Sequence, residues 1–148
     1  MEREKTNNSD ILRELIIINN ERFDGYKTAA RETNDAAFKA LFAEFSLQSK
    51  RFRDELRQLI PINEESPAND ETTLFGDFYQ SWMKMKTAIG DNNNNEILAA
   101  CEIGEDIIKK NYDDIIKNAS FSDKILVVLK KQKKELEKSY ELIKLKQY

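Results

Sequence analysis

Seven residues of this chain have types and spacing that could do chemistry: Asn19, Arg22, Tyr26, Gln48, Glu105, Tyr112 and Gln132. Asn19, Gln48, Glu105 and Gln132 each interrupt an apolar helical stripe near its midpoint, so they are expected to face inward and to meet. One carboxylate among three amides suits a hydrogen-bonded layer. Two hard divalent cations held side by side need several anionic oxygens instead. The carboxylates that could add them, Glu21, Glu44, Glu102 and Glu135, fall at the flank of their helices or outside, where charged residues are solvated. A layer with no cofactor is therefore expected. Iron or another divalent metal on Glu21, Glu44, Glu102, Glu105 and Glu135 is the alternative, and a small-ligand pocket in the same layer is a further one. Arg22, one turn from Asn19, is the expected partner of Glu105, because a buried carboxylate otherwise protonates or stays unsatisfied.

Other chemistries lack their residues. The chain contains no histidine, which removes Ser-His-Asp and Cys-His nucleophilic catalysis and the His-containing zinc sites. The lone cysteine, Cys101, lies on an apolar stripe with no base to activate it, and it reads as a buried, inert thiol. No Gly-rich phosphate loop of the G-x-G-x-x-G or G-x-x-x-x-G-K-[ST] kind is present.

The elements that must position these residues are helices. Only four Gly and two Pro stand among many Glu, Lys, Leu, Ile and Ala, which leaves little material for hairpins. The 148 residues, 40% of them hydrophobic, suffice for one core, so residues 9–148 are read as a single domain behind a flexible 1–8. Apolar periodicity places a first helix from Ser9 to Glu32 and a second from Asp35 to Ile60, stopped by Pro61. After the linker "PINEESPAND", a shorter helix in "TTLFGDFYQSWMKMKTAI" ends at Gly90. Asn93 and Glu96 have capping-box spacing and open a third long helix that runs to Asn118. Ser120 is expected to open the last helix, which runs to Lys146. Short turns make the first and second long helices one antiparallel hairpin and the third and fourth another. About 30 residues lie between the hairpins, enough for a long crossover that carries its own short helix.

On a helical wheel the inward stripes are Leu12, Ile16, Asn19, Phe23, Tyr26 and Ala30; Leu41, Phe45, Gln48, Phe52, Leu56 and Leu59; Leu98, Cys101, Glu105, Ile108, Tyr112 and Ile116; and Ile125, Leu129, Gln132, Leu136 and Ile143. The two hairpins echo each other. Asn19 precedes Tyr26 by seven, Glu105 precedes Tyr112 by seven, and a glutamine follows on the next helix in both cases. Trp82, Phe75, Phe78 and Met85 form the apolar face of the short helix, which is expected to pack on the bundle.

With these elements in place, "GYKTAARE" followed by "ALFAEFSLQSKRFRDEL", "SWMKMKTAI" in the crossover and "CEIGEDIIKKNY" carry a resemblance over nearly the whole chain beyond residue 8. The chain resembles the ferritin-like fold, specifically a bacterial family of four-helix bundles known as domain of unknown function 2383. The resemblance implies the crossover bundle and brings no assigned activity. Metal-binding members of the wider ferritin-like group carry Glu on two helices and Glu-x-x-His on the other two. The layer here offers Asn, Gln, Glu and Gln.

A net charge of -3 with interspersed signs offers no broad basic field for nucleic acid. The lysines at 130, 131, 133, 134 and 138 alternate with Glu135, Glu137 and Glu141 and read as a solvated face. No apolar run is long enough for a bilayer, and "MEREKTNNSD" lacks the apolar core of a secretory signal, so a cytoplasmic protein without membrane contact is expected. Ile103 and Ile107, with Ala100, point away from the third helix's stripe, and Val127 and Leu145 do so on the fourth. Either set is a candidate homodimer contact. The reading is a non-catalytic structural or interaction protein, with a ferritin-like metal-binding or oxidase-type bundle as its rival.

Overall fold

The computed structural model describes residues 8–68 and 77–147. Five helices are present in that span and no strand: α1 (Asn8–Glu32), α2 (Ala36–Arg57), α3 (Asp77–Gly90), α4 (Asn94–Asn118) and α5 (Asp123–Lys146). None of the described helices is long and apolar enough to cross a membrane.

Local chemistry sets most of the boundaries. Asp35 caps α2 by accepting the Phe38 N–H at 2.9 Å, and Asn93 caps α4 by accepting the Glu96 N–H at 3.1 Å. The turn between α3 and α4 is short because Asn92 takes φ 53°, a left-handed conformation that asparagine tolerates. Two expected boundaries are corrected. Ser122, not Ser120, caps α5 through the Ile125 N–H, since the first free N–H groups of a helix starting at Asp123 lie within reach of position 122. Helix α2 ends at Arg57 rather than Ile60. The backbone tightens there into three-residue turns from Leu59 to Leu56 and from Ile60 to Arg57, and the residue before Pro61 cannot stay helical without a clash.

Side-chain bonds give the directions of the helices. Ser46 donates to the Phe23 carbonyl and Ser49 to Asn19, so α1 and α2 are antiparallel. Lys133 reaches Asp113 and Tyr140 reaches Glu102, so α4 and α5 are antiparallel. Asn19 meets Tyr112 and Arg22 meets Glu105, so α1 and α4 are antiparallel too, and α2 and α4 therefore run the same way. The first part of the crossover is strapped to the α1–α2 hairpin by side chains that donate to its carbonyls: Arg13 to Glu65, Asn20 to Ala68 and Arg57 to Pro67.

Helix α3 lies on the seam between α1 and α4, and two glycines allow it to come close. A Cβ on Gly25 would stand 3.1 Å from the Trp82 ring, and one on Gly104 would stand 2.9 Å from Ser81 Oγ. Phe78 and Met85 are buried there and Trp82 is half-buried, while Phe75 lies outside the described residues, as do positions 1–7 of the expected flexible terminus. Ala100, expected to face outward, is buried under α3.

The inward stripes are rotated slightly from the wheel. Phe23, Ala30, Leu59, Ile116 and Ile125 are only half-buried, while Leu15, Arg22, Ala29 and Phe42 are fully enclosed. Helix α1 is wrapped by α2, α3 and α4, so its buried arc is wider than one stripe and reaches Arg22. Two apolar clusters result. One holds Phe38, Phe42, Phe45, Leu98 and Cys101 beside Met85 of α3; the other holds Leu12, Ile16, Phe52, Ile108 and Leu136.

Candidate functional site

Between the two apolar clusters lies a buried polar network drawn from all four long helices. The 3-4 spacing of each buried stripe places its members. In α1 the stripe reads Leu12, Leu15, Asn19, Arg22, Tyr26, Ala29, and in α2 it reads Phe42, Phe45, Ser49, Phe52, Leu56. Glu105 stands between Cys101 and Ile108 on α4, and Gln132 between Leu129 and Leu136 on α5. Asn19, Arg22, Ser49, Glu105, Tyr112 and Gln132 have no measurable exposure.

Glu105 is the centre. Its Oε2 accepts from Arg22 Nε at 2.9 Å and from the Tyr26 hydroxyl at 2.7 Å, and its Oε1 accepts from Arg22 Nη2 at 2.8 Å. The remaining Arg22 nitrogen, Nη1, donates to Ser49 Oγ at 2.8 Å and to the Phe45 carbonyl at 3.3 Å. The guanidinium also lies over the rings of Tyr26 and Phe45, 5.4 and 5.1 Å from their centroids. From Ser49 the chain of bonds continues to Asn19 Oδ1 (2.9 Å), from Asn19 Nδ2 to the Tyr112 hydroxyl (3.0 Å), and from Tyr112 to Gln132 Oε1 (2.6 Å). Gln132 Nε2 ends it on Glu55 Oε1 and the Phe52 carbonyl. The repeat seen in the sequence has a physical counterpart here: the tyrosine of each hairpin bonds the polar residue of the other, Tyr26 to Glu105 and Tyr112 to Asn19.

The ionisation of these groups follows from burial and from one charge pair. Burial alone would lower the Arg22 guanidinium, but the adjoining Glu105 carboxylate outweighs it and the net shift is upward. Burial, and then the negative charge of Glu105, push the Tyr26 hydroxyl well above its usual range. Burial likewise raises Cys101, with Glu105 adding to it, and raises Tyr112 against the opposing bond from Asn19. The thiol contacts Met85 Sδ at 3.0 Å, and the Glu105 carboxylate one turn away is already engaged by Arg22 and Tyr26.

Two expectations change at this point. Gln48 is not in the central network. It is half-buried at the α2–α5 seam, where its Oε1 accepts from Ser139 at 3.2 Å. One residue is 100° on a helix, and that turns Gln48 to the side and Ser49 to the centre. Ser49 is the member that the wheel reading missed, and its signal is the unbroken 3-4 spacing with Phe45 and Phe52. The second change concerns the carboxylates grouped as possible metal ligands, which are scattered. Glu44 is exposed, and Glu21 is buried on α1. Glu102 accepts from Tyr140 and Gln147, and Glu135 pairs with Arg51 at 2.8 Å. Among the described residues no group of three or more Asp, Glu, Cys or His could hold a metal ion. The centre offers one carboxylate, already bound three times, and these residues do not fit a pair of divalent cations. The space beside Arg22, Tyr26, Trp82 and Cys101 measures about 10 Å³, roughly one water and too small for an organic ligand.

The sequence model of one family, described as Domain of unknown function (DUF2383), matches residues 7–118, from α1 to the end of α4. Every member of the network except Gln132 falls within the matched span. No curated protein and no solved structure matches.

Proposed function

We propose that this chain, which belongs to the family described as Domain of unknown function (DUF2383), is a crossover four-helix bundle of the ferritin-like type that works as a non-catalytic structural or interaction protein. The observation that carries this reading is the occupancy of Glu105. In a bundle metal centre the inward carboxylates face one another across open space and share cations. Here the carboxylate at the centre of the network faces an arginine that fills the space and neutralises the charge, and the neighbouring polar atoms bond one another. A saturated network gives helix register and a unique packing rather than reactivity.

Elemental analysis of protein purified after growth in iron-, manganese- and zinc-supplemented medium tests the reading. The expected result is far less than one metal per chain. Two tightly held ions per chain, lost in Glu105→Ala, would overturn it in favour of the metal-binding bundle.

A further inference from the structure

Helix α3 covers only part of the seam between α1 and α4. Beyond Phe78 the two long helices leave, among the described residues, a cleft of about 420 Å³. Ile18, Ile107 and Ile115 line it, and its rim carries Glu14 and Asp114, both exposed. Ile103, one turn from Ile107 and 46% exposed, extends the apolar strip along α4. The nearby lysines do not offset the rim, because Lys110 is bound to Asp106 at 2.9 Å and Lys117 to Asp113 at 3.4 Å.

We propose that this cleft docks a basic amphipathic helix of a partner protein, with apolar side chains two turns apart on Ile107 and Ile115 and with Lys or Arg over Glu14 and Asp114. The same seam already receives a helix, α3, in its other half, so its width suits that element. The stretch of α4 from Ile107 to Ile115 spans nine residues, ~12 Å or about two turns, a length that an i, i+4, i+7 stripe covers. The charge on the rim selects a basic partner. A second copy presenting the same patch would set Glu14 and Asp114 against their own counterparts, and like charges oppose that contact. The proposal deepens the reading of this chain as an interaction protein, yet it does not depend on Glu105. Metal at the centre would sink that reading whatever the cleft binds, and an empty cleft would leave the metal result untouched.

The test is fluorescence anisotropy of the full chain with a labelled 14-residue peptide of Leu and Lys at helical spacing, beside its counterpart with every Lys replaced by Glu. The Lys peptide is expected to bind, more weakly at high salt, and to lose at least about tenfold in affinity against Ile107→Lys. In the pair Glu14→Lys with Asp114→Lys the preference should reverse, so that the Glu peptide binds and the Lys peptide does not. This reversal needs a folded protein, which guards against a variant that merely unfolds. Four results would overturn the proposal: no binding of the Lys peptide, binding that survives these variants, binding that appears only when Leu74 and Phe75 are replaced by Ser, or a dimer that Ile107→Lys dissociates. The third would assign the cleft to the chain's own segment, and the fourth to a second copy.

Discussion

Arg22 and Glu105 have no exposure, and each is tolerable only because the other is present. Removing one leaves a buried charge without its counter-ion, whereas removing both leaves no buried charge and only the neutral Tyr26 and Ser49 hydroxyls without those partners. Glu105→Leu or Arg22→Met alone is therefore expected to cost about 3–5 kcal/mol. The double variant should lose less than either single one, and denaturant unfolding in a double-mutant cycle reads the difference; additive losses would show that the pair is not a unit. The raised Tyr26, Tyr112 and Cys101 make a second expectation, on the alkaline side. These groups keep their protons in the native state at pH values where the unfolded chain has lost them. Stability is thus fully present below their ordinary values, near 9 for the thiol and 10 for the hydroxyls, and falls as pH rises above them, by about 1.4 kcal/mol per pH unit for each such group. Tyr26→Phe should flatten the alkaline limb of a stability profile. An unchanged limb would show that Tyr26 titrates freely in the folded protein.

At the scale of the element, the placement of α3 depends on two side chains that are absent. Gly104 sits in the interior of α4, where alanine would add about 1 kcal/mol through helix propensity alone, but its Cβ would stand 2.9 Å from Ser81 Oγ, which is itself bonded to the Phe78 carbonyl. Gly104→Ala is therefore expected to destabilise the wild-type chain and to stabilise a Ser81→Ala background. Thermal unfolding of the four proteins checks the change of sign, and a gain in both backgrounds would mean that α3 is not held against Gly104. The helices themselves were legible from their periodicity and from the cap at Asn93. The choice of Ser122 over Ser120 and the early end of α2 were not, because helix ends are decided by single N–H and C=O groups whose partners depend on exact backbone direction.

Across the whole molecule, one polar layer divides the core into two apolar halves, and the remaining exposed aliphatics are few. Val127 and Leu145 are both exposed, but they lie 18 residues apart on α5 with the exposed lysines 131, 134 and 138 between them, so they form no continuous patch. A two-fold contact through that face would bring those lysines together, and one through Ile103 and Ile107 would bring Glu14 and Asp114 together. Sedimentation equilibrium from micromolar to high micromolar concentration is therefore expected to give the monomer mass throughout. A dimer dissociated by Ile103→Lys would place a two-fold contact at Ile103 and Ile107.

The sequence by itself determined the all-helical class, the four long helices with a crossover between the hairpins, and an inward layer containing Asn19, Glu105 and Gln132. Those features follow from the 3.6-residue period, from connection length and from the demand that a buried charge find a partner, all of which are properties of residues near one another in the chain. Only the tertiary structure decided that Ser49 and not Gln48 joins the layer, that Arg22 closes on Glu105 with two bonds, that Ala100 lies under α3 and that α3 covers only part of the seam between α1 and α4. Each of these depends on how far one helix is rotated against another. A rotation of a few tens of degrees costs a single helix nothing, and it is set by the packing of several helices at once.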